Sequence, residues 1–196
     1  MMDTRYRLGA CVFLLFFMPA GLRPVHADGN RAVSVYGARW SDNRFVEILQ
    51  GQTALRSSYL AAVAVSYEFD RWEDRLGLEF EGNLARHFVE QDHYEINLIL
   101  IGRWRAFPWD SRVPTTVAFG AGPSLALGTP GLERARDDPH PSRLLNFLLA
   151  EITVGHPRHP GWSVFTRIHH RSGAGRLVGG VKGGSNFIAL GVRHHF

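Results

Sequence analysis

The chain is most constrained by an alternation of apolar and charged residues that recurs from segment to segment. In 161–172 the even positions are mostly apolar, whereas Arg167 and Arg171 stand at odd positions. Alternate residues of a β-strand share one face of the sheet, so the pattern predicts a strand with one apolar and one charged face. The C-terminal stretch 185–196 repeats the pattern, with Arg193 on its charged face.

The charged face carries bulky residues of both signs on strand after strand, and a water-soluble sheet would instead hide its apolar face in a core. The residues in question are Glu68, Glu79, Glu81, Glu95, Arg103, Arg105, Arg167, Arg171 and Arg193. A small membrane barrel has the required arrangement, with apolar side chains toward lipid and polar side chains in the lumen. The charges then pair and fill a lumen too narrow for a pore. The sequence therefore predicts an all-β fold, an eight-stranded antiparallel transmembrane β-barrel of the outer membrane.

Eight alternating segments are the predicted strands of this barrel. They are 32–38, 58–69, 75–84, 93–107, 113–127, 143–154, 161–172 and 185–196. Long connections are expected after odd-numbered strands and tight turns after even-numbered ones, as in outer-membrane barrels. The final Phe196 resembles the insertion signal of such barrels, and Trp72, Trp109 and Trp162 fall where an aromatic girdle is expected. These features predict the outer membrane of a Gram-negative bacterium.

Residues 1–27 are expected to be a secretory signal peptide, which leaves 28–196 as a single barrel domain. This segment contains three arginines and one aspartate, so its removal reduces 22 basic and 18 acidic residues to 19 and 17. With so small an excess, and without a basic run interleaved with aromatics, no nucleic-acid partner is expected. The single cysteine, Cys11, lies in the same segment, and we expect neither a disulfide nor thiol chemistry.

A histidine and a serine stand on the apolar face where the 161–172 strand ends. His170 and Ser172 are two residues apart, so both side chains are expected to face lipid near one end of the wall. A hydroxyl beside an imidazole at the depth of acyl chains fits an esterase that acts on a lipid. Ser172 would be the nucleophile, and His170 would take its proton and return it to the leaving group.

Two further expectations concern the surroundings of this pair. Gly173 follows the serine directly, and its flexible backbone can direct an N–H group at an oxyanion. The histidines show no spacing typical of a metal site, so neither a metal nor another cofactor is expected.

The motif His170-Arg171-Ser172 resembles the His-x-Ser motif of the lipid A 3-O-deacylase family, small outer-membrane esterases also known as acyloxyacyl hydrolases. The resemblance implies lipid A of lipopolysaccharide as the substrate and removal of its ester-linked 3-hydroxyacyl chain. It also implies an acidic triad member near the start of the last strand, where this chain has Asn186, and an asparagine after the serine, where it has Gly173. The third catalytic role is assigned to Asn186, whose amide oxygen would hold the imidazole N–H.

An amide gives the imidazolium less stabilisation than a carboxylate, so the resemblance implies a slow enzyme. An Asn186→Glu variant is accordingly expected to match or exceed the wild type. Five arginines in the predicted outer loops are candidates for binding lipid A phosphates, although each also suits an ordinary solvated loop: Arg44, Arg86, Arg134, Arg136 and Arg176. The expected partners are lipid A and outer-membrane lipid, and a homodimer is left open.

Two alternatives to a deacylase remain at the level of sequence. The first is a non-enzymatic barrel of the same fold, in which the missing acid marks lost catalysis. The second is a different lipid-modifying barrel, such as a palmitoyltransferase, with its site facing the lumen. The three hypotheses differ in what they do to lipid A: loss of a hydroxyacyl group, no change, or gain of an acyl chain.

Overall fold

A computed structural model describes residues 29–128, 130, 142–174, 177–180 and 184–196. The expected signal peptide, 1–27, lies outside the described residues. These residues form eight strands and one short helix: β1 (Arg31–Ser41), α1 (Phe45–Leu49), β2 (Leu55–Trp72), β3 (Leu76–Phe88), β4 (Tyr94–Trp104), β5 (Thr115–Leu127), β6 (Leu144–His156), β7 (His159–Ser172) and β8 (Gly184–His195).

The strands form a closed barrel in chain order, which confirms the predicted fold. Every strand is antiparallel to its neighbours, and β1 pairs with β8 to close the wall, for example with Val35 opposite Val192. Several strands are longer than predicted. β3 runs on to Phe88, beyond the predicted end at 84, because its alternation continues, and β2 begins at Leu55, before the predicted start at 58.

The lumen is filled by a buried network of arginines and glutamates, as predicted. Glu151 on β6 accepts hydrogen bonds from Arg103 Nη1 at 2.8 Å and from Arg167 Nε at 2.7 Å. Arg167 also donates two hydrogen bonds to the carboxylate of Glu81, at 2.6 and 2.8 Å. Paired donors of this kind match both charge and geometry. Because each charge is buried, removal of one partner would leave another uncompensated, so the network fixes one register for the surrounding strands.

The outer wall is apolar along its middle. Leu98, Leu100, Phe119 and Leu190 each expose half or more of their side chains. A closed barrel with paired strands, a charged interior and an apolar exterior is suited to hydrocarbon on the outside. The protein is therefore an outer-membrane barrel of the Gram-negative type. None of the helical residues among those described forms a segment long and apolar enough to cross a bilayer.

Exposed tryptophans mark the end of the barrel where the chain turns after the even-numbered strands. Trp72, Trp109 and Trp162 expose 69, 49 and 55% of their surface, as expected for a girdle at the membrane interface. In barrels of this kind such turns face the periplasm. The opposite end, which carries the 42–54 and 173–183 connections, is therefore the outer one.

The expected alternation of long and short connections is not strict. The connection 105–114, at the periplasmic end, is longer than 89–93, at the outer end. Its length has a local cause, because the carboxylate of Asp110 accepts hydrogen bonds from the backbone N–H groups of Phe107 and Thr115, at 2.8 and 2.9 Å. These bonds build an ordered turn instead of a tight one.

Candidate active site

His170 lies near the outer end of β7, and its side chain points away from the lumen. The strand alternates as predicted: Phe165 and Arg167 are buried inside the barrel, whereas Trp162 and Val164 are exposed on its wall. His170 belongs to the outward set and is half-buried. The imidazole therefore lies on the wall that faces lipid, at the end of the barrel nearer the outer leaflet.

Asn186 stands directly opposite His170 in the pairing of β7 with β8. Its Oδ1 lies 2.6 Å from His170 Nδ1. An amide oxygen can only accept, so Nδ1 carries the ring proton that makes this bond. The other end of the amide is also bonded, because Asn186 Nδ2 donates to the backbone oxygen of Asn43 at 2.9 Å. These two bonds fix both the orientation of the amide and the tautomer of the histidine.

Ser172 ends β7 on the same outward face as His170. It is half-buried and paired with Asn146 on β6 and with Gly184 on β8. The close neighbour has to be a glycine, since a Cβ at position 184 would overlap the carbonyl oxygen of Arg171 and lie 2.9 Å from Ser172 Cβ. Two positions along a strand separate the Cα atoms of His170 and Ser172 by roughly 7 Å, which brings their side chains within reach of one substrate carbonyl.

Gly173 follows Ser172 immediately, where the strand ends, and it is buried. Its carbonyl oxygen accepts a hydrogen bond from Val178 N–H at 3.0 Å, which folds the chain into a turn beyond the serine. Ala174, in the described part of this turn, is left-handed, with φ of 47°. That conformation is unusual for a residue with a Cβ, so the surrounding contacts hold this backbone in place. The oxyanion role of Gly173 stays a prediction.

The 42–54 connection, which lies between the first two predicted strands, contains α1 and folds back onto the outer wall. Ile48 of α1 packs in a cluster with Ala150 of β6 and Ile168 of β7. The ring of Phe45 lies against His170, with centroids 5.2 Å apart. The apolar residues of 45–49 were the only sequence signal for this contact. The first loop thus covers one side of the candidate site.

A largely apolar groove with a volume of about 460 Å³ lies further along the same outer wall. It crosses the outer wall from β7 and β8 over β1 and β2 to the end of β3, and Ile188, the next outward residue after Asn186, lines it. Gly37, which has no side chain, and Ala61 leave space in its lining, whereas Phe88 and Leu190 are its large residues. A Cβ at Gly37 would meet no atom within 4 Å, so the groove is open at this point.

The predicted phosphate-binding arginines are not brought together by the described part of the structure. Arg44 lies in the first loop, where its backbone N–H donates to Glu47 Oε2 at 2.9 Å, next to Phe45. The prediction that Arg86 lies in an outer loop is wrong, because the residue lies on β3. The strands β1 and β2 lie between it and β8. Its guanidinium pairs with Asp92 and lies 4.9 Å from the ring centroid of Tyr94. Arg134, Arg136 and Arg176 lie outside the described residues.

A cluster of histidines lies in the lumen, on the inner side of the wall that carries the candidate site. His169 Nε2 and His87 Nε2 lie 2.9 and 3.0 Å from the two oxygens of Glu95, and all three residues are buried. Their ligand atoms lie within 4.8 Å of one another, close enough to hold a metal ion. As folded, however, the ring N–H groups already bond the carboxylate, and Arg171 Nε is 4.0 Å from it. A divalent cation would meet this positive charge, so we interpret the cluster as hydrogen-bonded packing.

His93, in the 89–93 connection, is buried against this cluster. Its ring stacks on His87, with centroids 4.2 Å apart and planes 12° apart. Burial, together with the neighbouring His87, lowers the pKa of His93 to about 4. The ring is therefore neutral near pH 7, as a stacked position beside another imidazole requires. Strand register brings these histidines together from separate segments, and no spacing in the sequence indicated it.

Comparison with known proteins supports the fold at the level of structure and not of sequence. No protein-family model matches the chain, and no curated protein matches it. Among solved structures, the outer-membrane enzyme PagL is similar with a TM-score of 0.59 and 16% identity, over 84% of this chain and 99% of that one. Neisserial surface protein A is similar with a TM-score of 0.50 and 14% identity, over 85% of this chain and 97% of that one.

The likeness establishes the fold. At such low identity it carries no activity from either protein to this chain, and one of the two is named as an enzyme while the other is named as a surface protein. The choice between an enzyme and a barrel without activity therefore depends on the residues of the candidate site.

Proposed function

We propose that the protein is an outer-membrane lipid A 3-O-deacylase, a serine esterase that hydrolyses the ester-linked 3-hydroxyacyl chain of lipid A. The observation that carries the proposal is the 2.6 Å contact of His170 Nδ1 with Asn186 Oδ1 on the lipid-facing wall, two residues from Ser172. Under the proposal Ser172 is the nucleophile, His170 the base and Asn186 the group that orients the base, which are the roles that acyl transfer requires.

In the proposed reaction Ser172 Oγ attacks the ester carbonyl carbon while His170 Nε2 takes the hydroxyl proton. The Nδ1–H of the resulting imidazolium stays bonded to Asn186. The tetrahedral intermediate carries its negative charge on the former carbonyl oxygen, which the N–H of Gly173 stabilises. The intermediate collapses as the C–O bond to the sugar breaks, and His170 returns the proton to the sugar oxygen. Water then attacks the acyl-serine by the same route and releases the 3-hydroxy fatty acid.

The position of the site supports lipid A as the substrate. His170 and Ser172 lie at the outer end of a wall that faces hydrocarbon, the level at which ester-linked chains meet the headgroup of an outer-leaflet lipid. The apolar groove can take an acyl chain, since its lining begins at Ile188, the next outward residue after Asn186, and continues along the wall. Arg44, exposed in the first loop, is available for a phosphate.

The second candidate function is a barrel of the same fold without enzymatic activity. The observation that favours it is the amide at position 186, because Asn186 stabilises an imidazolium less than a carboxylate would. The palmitoyltransferase alternative needs a site inside the barrel, but Glu151 and Arg167 fill that space with ion pairs. The first two candidates are therefore the ones that experiment has to separate.

Mass spectrometry of lipid A from cells with and without the chain separates these functions. The deacylase proposal predicts loss of one 3-hydroxyacyl group in cells that produce the wild type. Ser172→Ala should abolish this loss, and Ser163→Ala, a matched change on the luminal face of the same strand, should leave it in place. Unchanged lipid A in cells with correctly inserted wild type would favour the barrel without activity, and an added acyl chain would favour a transferase.

A further inference from the structure

We propose that the first outer loop belongs to the catalytic apparatus, and that the backbone carbonyl of Asn43 makes an amide, not a carboxylate, the suitable side chain at position 186. The inference rests on the proposed function and deepens it. In it, Asn43 is a positioning residue, which acts on His170 through Asn186.

The hydrogen bonds at position 186 require one donor and one acceptor. Asn186 Nδ2 donates to the Asn43 carbonyl at 2.9 Å, and Asn186 Oδ1 receives the His170 Nδ1–H at 2.6 Å. An amide offers both groups from one planar head, whereas an ionised carboxylate offers acceptors alone. An ionised carboxylate would turn its second oxygen toward the Asn43 carbonyl, so two acceptors would face each other. Asn186 is also 4% exposed, so little water is available to relieve that contact.

The carbonyl of Asn43 is held in place by the rest of its own residue. Its side-chain Oδ1 accepts a hydrogen bond from Ala54 N–H across the base of the loop, and its Nδ2 lies 3.4 Å from Glu47 Oε2. Its backbone N–H donates to Ser41 Oγ at 3.3 Å. Asn43 thus joins both ends of the 42–54 connection, which fixes the direction of its carbonyl.

Apolar packing by α1 supplies the second anchor of the loop. Phe45 and Ile48 lie on the outer wall, against Ile168 and Ile188 of the two strands that carry His170 and Asn186. This contact keeps the Asn43 carbonyl over Asn186 while the loop remains at the membrane surface. Val46 on the same helix is 60% exposed and does not belong to this cluster, which makes it a matched control.

This arrangement reverses the expectation drawn from the family resemblance. A carboxylate at position 186 would regain charge for the imidazolium but lose the bond to Asn43 and gain a repulsive contact. We expect the nearly isosteric Asn186→Asp variant to lower kcat about tenfold or more with KM little changed. A single buried hydrogen bond left unmade accounts for a change of this order.

The test is a double-mutant cycle on lipid A hydrolysis with purified barrel, using Asn43→Ala, Asn186→Asp and the double variant. Asn43→Ala releases the carbonyl from its supports and should lower kcat about five-fold. The Asp substitution should then cost at least three-fold less in the Asn43→Ala background than in the wild type. Val46→Ala should match the wild type. Two results would overturn the inference. One is an Asn186→Asp variant that gains activity, and the other is a double variant whose loss of kcat equals the product of the two single losses.

A readout that does not depend on turnover separates this inference from the proposed function. The nitrogen NMR signals of His170 should show the Nδ1–H tautomer in the wild type and in Val46→Ala, and a mixture of tautomers in Asn43→Ala. If the wild type hydrolyses no lipid A but this shift is seen, the proposed activity is wrong and the positioning role stands. If Asn43→Ala leaves the tautomer and kcat unchanged, the positioning role is wrong whatever the wild type hydrolyses.

Discussion

His169 and His170 are adjacent in β7, yet they belong to opposite sides of the same wall. His169 is enclosed in the lumen, where Glu95 and Tyr36 bond its two ring nitrogens at 2.9 Å each. His170 faces outward and bonds the amide of Asn186. The inner histidine has the carboxylate that a catalytic triad uses, whereas the outer one has a serine on its face and access from lipid. The candidate base is therefore the histidine that a lipid substrate can reach, and strand alternation decides which histidine that is. The charge of the partner side chain does not decide it.

The largest expected effect follows from removing the outer histidine. His170→Asn should lower lipid A hydrolysis roughly 10³-fold, because the serine loses its base, while urea unfolding of the reconstituted barrel stays near the wild-type midpoint. Release of 3-hydroxy fatty acid measures the first quantity and tryptophan fluorescence the second. An active His170→Asn variant would remove this residue from the mechanism.

Removing the inner histidine should have the opposite result. His169→Asn removes one buried hydrogen bond from Glu95 and one from Tyr36, which keep only their bonds to His87 and Asn83, so we expect about 1–3 kcal/mol lower stability in urea unfolding. Hydrolysis per folded molecule should stay within about two-fold of the wild type, since His169 has no role in the reaction. If the folded variant instead lost activity to the extent that His170→Asn does, the lumen would have to be part of the site.

A smaller effect is expected from filling the groove beside the outer histidine. Gly37→Leu places a side chain where a Cβ meets no atom within 4 Å, so the barrel should fold normally. Hydrolysis of long acyl esters should fall about tenfold and that of short esters much less, because only a long chain needs the groove. Gly82→Leu is the matched control, because Gly82 is also an outward glycine but lies on β3. Equal losses for long and short esters would mean that the chain binds elsewhere.

The smallest effect is expected at the headgroup. Arg44 is exposed, so its contribution to phosphate binding is screened by solvent and salt. Arg44→Ala should raise KM about two- to three-fold at low salt, and less at high salt, with kcat unchanged. Arg75→Ala, in the periplasmic turn 73–75, should have no effect. A change in kcat for Arg44→Ala would indicate that the residue acts on the first loop and not on the substrate.

The faces of the strands could be predicted from the sequence because a period of two leaves little choice. Glu151 and Arg167 had to share one side, and His170 and Ser172 the other, once β6 and β7 formed. That His170 and Asn186 share the outward face was also accessible, since each stands at an outward position of two successive strands, although the 173–183 connection is too long to set their register.

Contacts made by loops and by distant strands could not be predicted in this way. The helix α1 has five residues, too few to form alone, and it exists because Phe45 and Ile48 find an apolar wall. The bond between Asn43 and Asn186 joins residues 143 positions apart. Arg86 was assigned to a loop because the polar residues around it suggested that the strand had ended. The strand in fact continues to Phe88.

The most direct measurement is labelling of the reconstituted barrel with a lipophilic phosphonate that mimics an acyl ester, followed by peptide mass spectrometry. The account predicts one adduct on Ser172 that disappears in His170→Asn and persists in His169→Asn. Absence of an adduct on Ser172 in the folded wild type, or one that persists without His170, would contradict a catalytic pair on the outer wall.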